Sequence, residues 1–123
     1  MILKICKEQD INVLMQRSKK YFSDLGINEI KKIELTTIIS ELGYNIIKYA
    51  RKGSLELSIK NNIITIIAID KGDGFKDITN ATKEGYSSSG TLGLGLGAVV
   101  RLSDEFTIET SKNGTTITII KVL

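Results

Sequence analysis

Glu41 and Asn45 lie four residues apart in a stretch of helical periodicity, so one helix face presents a carboxylate and a carboxamide together. A carboxylate can take a proton from a hydroxyl, and an amide oxygen is a suitable hard ligand for Mg²⁺. Alone, the pair also fits a polar helix surface. Two further groupings bear on it. Asp70-Lys71-Gly72-Asp73-Gly74 follows directly on an apolar run. A carboxylate at a strand end accepts a hydrogen bond from an amino group, and the two glycines let the backbone pass close to a flat ring. The same residues also make ordinary turns. The third grouping, Gly90-Thr91-Leu92-Gly93-Leu94-Gly95-Leu96-Gly97, leads into a helical segment. Backbone N–H groups at a helix start attract anions, so the run suits a triphosphate cradle, or equally a loop before a close-packed helix. It is not a P-loop, since no Gly-Lys-Ser/Thr follows, and it comes too late in the chain for a dinucleotide fingerprint.

The elements that must carry these residues are legible from periodicity. Residues 2–6 read as a short strand, with Cys6 as a small apolar residue in it. Asp10 is placed to cap a helix carrying Ile11, Leu14, Met15, Tyr21, Phe22 and Leu25, with Gly26 as its end. Asn28 is placed to cap a longer helix to about Lys52, stopped by Gly53. Leu35, Ile38, Leu42, Ile46 and Tyr49 make its apolar face, and Glu34, Thr37, Glu41, Asn45, Lys48 and Lys52 a polar stripe beside it. Alternation of Leu55, Leu57 and Ile59 with polar residues predicts a strand covered on one side. After a turn at Asn61-Asn62, the β-branched run Ile63 to Ile69 predicts an interior strand. A short helical turn is expected over 78–83, a helix from about Gly95 to Ser103, and strands over 106–111 and 115–122. Asn113-Gly114 between those strands suggests a type I′ hairpin. The pattern is a sheet with helices on one side, a two-layer α/β sandwich.

Bulk properties set outer limits. The 123 residues suit one compact domain, and 41% hydrophobic residues provide for a core. Histidine is absent, which excludes His-based catalysis and His metal sites, and one cysteine forms neither an internal disulfide nor a thiolate zinc site. The N-terminal residues lack a long apolar segment, so a cytoplasmic location and no membrane association are expected. The net charge of +3 comes from 17 basic residues interleaved with 14 acidic ones, which argues against a nucleic-acid partner.

Taken in order, the three groupings resemble the GHKL (Bergerat-fold) ATP-binding superfamily: an N-box Glu-x-x-x-Asn, an Asp-x-Gly-x-Gly box and a glycine-rich lid box, with Gly114-Thr115 matching a fourth position. The resemblance spans nearly the whole chain. It implies an α+β Bergerat fold with a mixed, mostly antiparallel sheet. The run from Glu84 to Leu102, followed by Asp104-Glu105-Phe106, is similar to the anti-sigma-factor serine/threonine kinase branch and its stressosome switch kinases. On that likeness the cofactors are ATP and Mg²⁺. Asp70 would accept the adenine amino group with Thr115 in support, and Gly72, Gly74 and Phe75 would line the base. Asn45 would ligate Mg²⁺. Gly90, Gly93, Leu94, Gly95 and Gly97 would wrap the phosphates, and Glu41 would orient or deprotonate the attacking hydroxyl. The substrate implied is a STAS-domain anti-sigma-factor antagonist, with a phosphatase or sigma factor as a further partner and a homodimer as a common arrangement. A Glu in the N-box suits hydroxyl chemistry rather than histidine phosphorylation. The other reading left open is a nucleotide-gated anti-sigma or effector-binding module without significant kinase activity.

Overall fold

The computed structural model describes residues 1–50, 52–74 and 95–123. Its elements run β1 (Ile2–Ile5), α1 (Gln9–Asp24), α2 (Glu29–Tyr49), β2 (Gly53–Lys60), β3 (Ile63–Asp70), α3 (Gly95–Leu102), β4 (Glu105–Ser111) and β5 (Gly114–Val122). The strands form one sheet in the order β1-β2-β3-β5-β4, and all four pairings are antiparallel. The expected two-layer α+β sandwich is present.

Alternation along the strands decides which face is covered. Leu55, Leu57, Ile64, Ile66, Ala68, Ile117 and Ile119 point inward and are buried. On the other face Ile63 and Ile69 are each 40% exposed, so the described helices occupy one side. α2 packs against α1, α3 and the first three strands, because Leu35, Ile38, Ile39, Leu42 and Ile46 all face inward. Each such fully buried side chain contributes about 1.5–3 kcal/mol, more than any single surface hydrogen bond here. That apolar stripe therefore fixes how α2 is rotated, and with it where Glu41 and Asn45 point.

Helix ends follow local chemistry. Asn28 caps α2 as expected: its side-chain oxygen accepts from the Lys31 N–H at 2.9 Å. Gly26, in the left-handed conformation, closes α1; Gly26 N–H donates to Ser23 O and Ile27 N–H to Phe22 O, the Schellman pattern. Other expectations shift. Asp10 is not the cap of α1 but lies in its first turn, where Oδ2 accepts from the N–H groups of Cys6 (2.8 Å) and Lys7 (3.1 Å). Its carboxylate thus serves the turn leaving β1. Cys6 is exposed beyond the end of β1, not packed within it. Leu25, beyond the end of α1, is 51% exposed, and Ser18 takes the inward place between Leu14 and Phe22.

α2 ends at Tyr49, and Gly53 opens β2 instead of stopping the helix. The positive φ pair expected at Asn113-Gly114 occurs at Asn61 (53°) and Asn62 (62°), joining β2 to β3. The β4–β5 hairpin turns one residue earlier, through Lys112-Asn113, with Ser111 paired to Gly114. The helical turn expected over 78–83 lies outside the described residues.

Replacing Asn28 by Ala should lower unfolding free energy by about 1 kcal/mol, with an unchanged denaturant m value, since only the α2 cap is lost. Urea titration of the two proteins measures it.

Candidate functional site

Asp70 ends β3 on the inward face, one step beyond Ala68. Its neighbours across the sheet are Gly53 on β2 and Thr115 on β5. Asp70 Oδ1 accepts from the Gly72 N–H at 2.9 Å, an Asx-type turn that fixes the carboxylate's rotamer. A carboxylate has about four lone-pair sites, so this bond leaves capacity for an incoming amino group. Thr115 is 4% exposed, and its hydroxyl lies 2.8 Å from that of Thr110. The three side chains belong to one inward row, Asp70–Thr115–Thr110, across β3, β5 and β4.

Gly72 and Gly74 stand where a Cβ cannot. At Gly72 it would lie 2.7 Å from Tyr49 O and 2.8 Å from Ala50 Cβ. At Gly74, whose φ is +81°, it would lie 2.4 Å from Ser111 O. The close approach each glycine permits is to the chain's own backbone. Gly72 seals the loop after β3 against the end of α2, and Gly74 seals it against β4. A cleft of about 460 Å³ opens beside Asp70, Lys71, Thr110, Asn113 and Thr115, and wraps round the sheet end to Ile69, Glu109 and Thr116. That volume falls within the range of small-molecule pockets. Glu41 and Asn45 do not line it.

Glu41 and Asn45 sit on consecutive turns of α2, both half-buried. Desolvation raises the Glu41 pKa above the ordinary glutamate value; a hydrogen bond from the Gly95 N–H and the charge of Lys48 oppose the rise. Glu41 is thereby tied to the first residue of α3, where a helix presents unsatisfied N–H groups and positive dipole charge. Asn45 Nδ2 is buried without a hydrogen-bond partner. Such a group is costly to leave unmet. Turning the amide over would bring its oxygen to the same place, as a metal ligand requires. Among the described residues no group of three or more Asp, Glu, His or Cys could hold a metal ion.

The two groupings meet through Gly53. The point where its Cβ would stand is 2.8 Å from Ile46 Cγ2 and 3.2 Å from Asp70 Cβ, so the residue next to Asn45 lies over the Asp70 end of β3. Gly97 is buried within α3. Phe75, Gly90, Gly93 and Leu94 lie outside the described residues. Sequence reasoning missed Lys121, an inward-facing residue of β5 that is 4% exposed. Its signal is a lysine in the inward register of Thr115, Ile117 and Ile119.

Among the described residues no helix is long and apolar enough to cross a membrane. Residues 8–121 match the family described as histidine kinase-like ATPase domain, a nucleotide-binding family. The chain is 37% identical over 126 residues to the serine/threonine-protein kinase RsbT of Bacillus subtilis, covering 98% of this chain and 95% of that protein. Among solved structures it resembles SiaB–SiaC complex from Pseudomonas aeruginosa (TM-score 0.69, 12% identity, all of this chain and 89% of that one). It also resembles the catalytic domain of the histidine kinase ThkA (TM-score 0.59, 13% identity, 99% and 95%). Those two likenesses concern the fold. The chain belongs to the histidine kinase-like ATPase domain family, and within it to the serine/threonine-protein kinase branch represented by RsbT.

Proposed function

We propose that this chain is a Mg·ATP-dependent protein serine/threonine kinase of the cytoplasm. It phosphorylates a STAS-domain antagonist protein and regulates sigma-factor or stress signalling by partner switching. The observation that carries the reading is the contact of Glu41 with the Gly95 N–H, which sets a carboxylate of raised pKa against an anion-attracting helix start. Phosphoryl transfer requires those two things side by side: an acceptor for the hydroxyl proton and positive potential for phosphate.

In this scheme Asp70 receives the adenine amino group beside Thr115, and the loop through Gly72, Gly74 and Phe75 borders the base. Asn45 would hold Mg²⁺ through its amide oxygen once the amide is turned over, and that ion would neutralise phosphate charge. Gly90, Gly93, Leu94, Gly95 and Gly97 would supply backbone to the phosphates. The substrate hydroxyl oxygen attacks the γ-phosphorus, the bond to the ADP oxygen breaks, and the hydroxyl proton passes to the Glu41 carboxylate. A carboxylate partly withdrawn from water is a better proton acceptor than an exposed one, which is what the upward shift supplies.

Radiolabelled ATP incubated with the chain and a STAS protein should label a Ser or Thr of that protein. Glu41→Gln, which keeps an acceptor for the Gly95 N–H, should reduce labelling about a hundredfold or more while leaving ADP binding intact by calorimetry; persistent labelling in the variant removes Glu41 as the base. Asp70→Asn should weaken ADP binding about tenfold or more, through loss of a charge-assisted hydrogen bond.

The raised pKa has consequences for pH. Labelling should decline on the acid side with a midpoint above the ordinary glutamate value, and Lys48→Met should move that midpoint to higher pH by removing one of the opposing influences. For stability the sign is opposite. Between the unfolded and folded pKa values the folded state holds more protons, so this group's contribution falls as pH rises through that window. Glu41→Gln should therefore stabilise the fold at neutral pH while abolishing transfer. Urea titrations at neutral and acid pH should show the gain at neutral pH only.

A further inference from the structure

We propose that Lys121 is a positioning residue that sets the register of α3 against α2, and so aims the N–H groups at the start of α3 toward the nucleotide's phosphates. The inference deepens the nucleotide-binding reading above and rests on it.

Lys121 Nζ donates to the carbonyl of Leu102, the last residue of α3, at 2.6 Å. It also lies 3.4 Å from Glu34 Oε2 on α2. A cation at a helix C-terminus is favoured by the unpaired carbonyls and the dipole there. Glu41, on the same stripe of α2, holds the other end of α3 through the Gly95 N–H. Glu34 and Glu41 are two turns apart along α2, and Gly95 and Leu102 are two turns apart along α3, about 10 Å in each case. The two helices therefore run antiparallel with both ends of α3 tied to one stripe: directly through Glu41, and through Lys121 by way of Glu34. A one-residue slip of α3 would break both ties.

Stability alone does not account for the arrangement. The lysine occupies an inward position whose neighbours along β5 are Ile119, Ile117 and Thr115, where an apolar side chain would pack without desolvating a charge. Buried ion pairs often add no net stability over apolar residues of similar size, and fixing register is their best-attested use. Leu96, Gly97, Ala98 and Val99 bury α3 against the core, and the ties at its two ends lie beyond that buried face.

The test compares two ligands by calorimetry. ATP engages both the strand tip and the start of α3, whereas adenosine engages only the strand tip. Lys121→Met should weaken ATP binding about tenfold, the scale of a helix-terminus interaction, and leave adenosine binding within about twofold. Lys121→Arg should restore much of the ATP affinity, since guanidinium can serve the same carbonyl and carboxylate. Glu34→Gln, at a partly exposed position, gives the same split at smaller size and serves if Lys121→Met does not fold. Equal weakening of both ligands, or undiminished ATP affinity, overturns the proposal. If the unaltered protein binds neither ligand, the nucleotide-binding reading itself fails, which is a separate result.

Discussion

Backbone packed against backbone at the end of β3 is the constraint on which the rest of the structure depends. A Cβ at Gly114 (φ +141°) would stand 2.2 Å from Asp70 O, and one at Gly53 would stand 2.5 Å from Ile69 O. Strands β2 and β5 thus close on the last residues of β3 more tightly than any side chain allows. The loop after β3 is held just as closely, to α2 on one side and β4 on the other. Asp70 is fixed by this crowding and by its own bond to the Gly72 N–H, not by a surrounding shell of side chains. Such a frame suits recognition of a flat ligand edge, because a carboxylate that cannot turn offers one direction of hydrogen bonding.

The helical layer solves a different problem. Its apolar stripe must face the sheet, and once Leu35, Ile38, Leu42 and Ile46 do so, the flank of α2 carrying Glu34, Glu41 and Asn45 is turned so that Glu41 meets the start of α3 and Glu34 meets Lys121. Two unfavourable features result: a carboxylate drawn partly out of water and an amide nitrogen buried without a partner. Of the two buried side-chain atoms without a partner among the described residues, Ser18 Oγ lies on the inward side of α1, while Asn45 Nδ2 lies on α2 one turn from Glu41. The core is large enough to carry both, and sites that act on ligands commonly hold such strain.

Much of this was legible in the sequence, for physical reasons that differ by element. β3 and β5 declared themselves through β-branched runs and alternation, and α2 through a long apolar period and an asparagine cap, all of which are local. The box residues Glu41, Asn45, Asp70, Gly72 and Gly74 were legible because their order is specific even though each alone is ordinary. What failed to read depended on which partner a group takes, whether near in sequence or far. Asp10 looked like a cap, but its carboxylate turned back to the N–H groups leaving β1. Asn113-Gly114 had the composition of a type I′ turn, yet Gly114 is needed against Asp70, which moves the turn to Lys112-Asn113. Lys121 is marked locally only by its inward register in β5; its partners are 19 and 87 residues away and cannot be read from the sequence.

The electrostatics distinguish this site from one built for a histidine acceptor. An imidazole nitrogen attacks without a base, because its lone pair is already available near neutral pH. A serine or threonine hydroxyl must lose its proton, and the acceptor must be ionised at working pH yet basic enough to take it. In the proposed transfer that acceptor is Glu41, on which opposed influences act: burial lifts its pKa, while the Gly95 N–H and Lys48 limit the rise. The contact that limits the rise also places the carboxylate at the start of α3, so proton acceptor and phosphate-attracting backbone are set by one hydrogen bond.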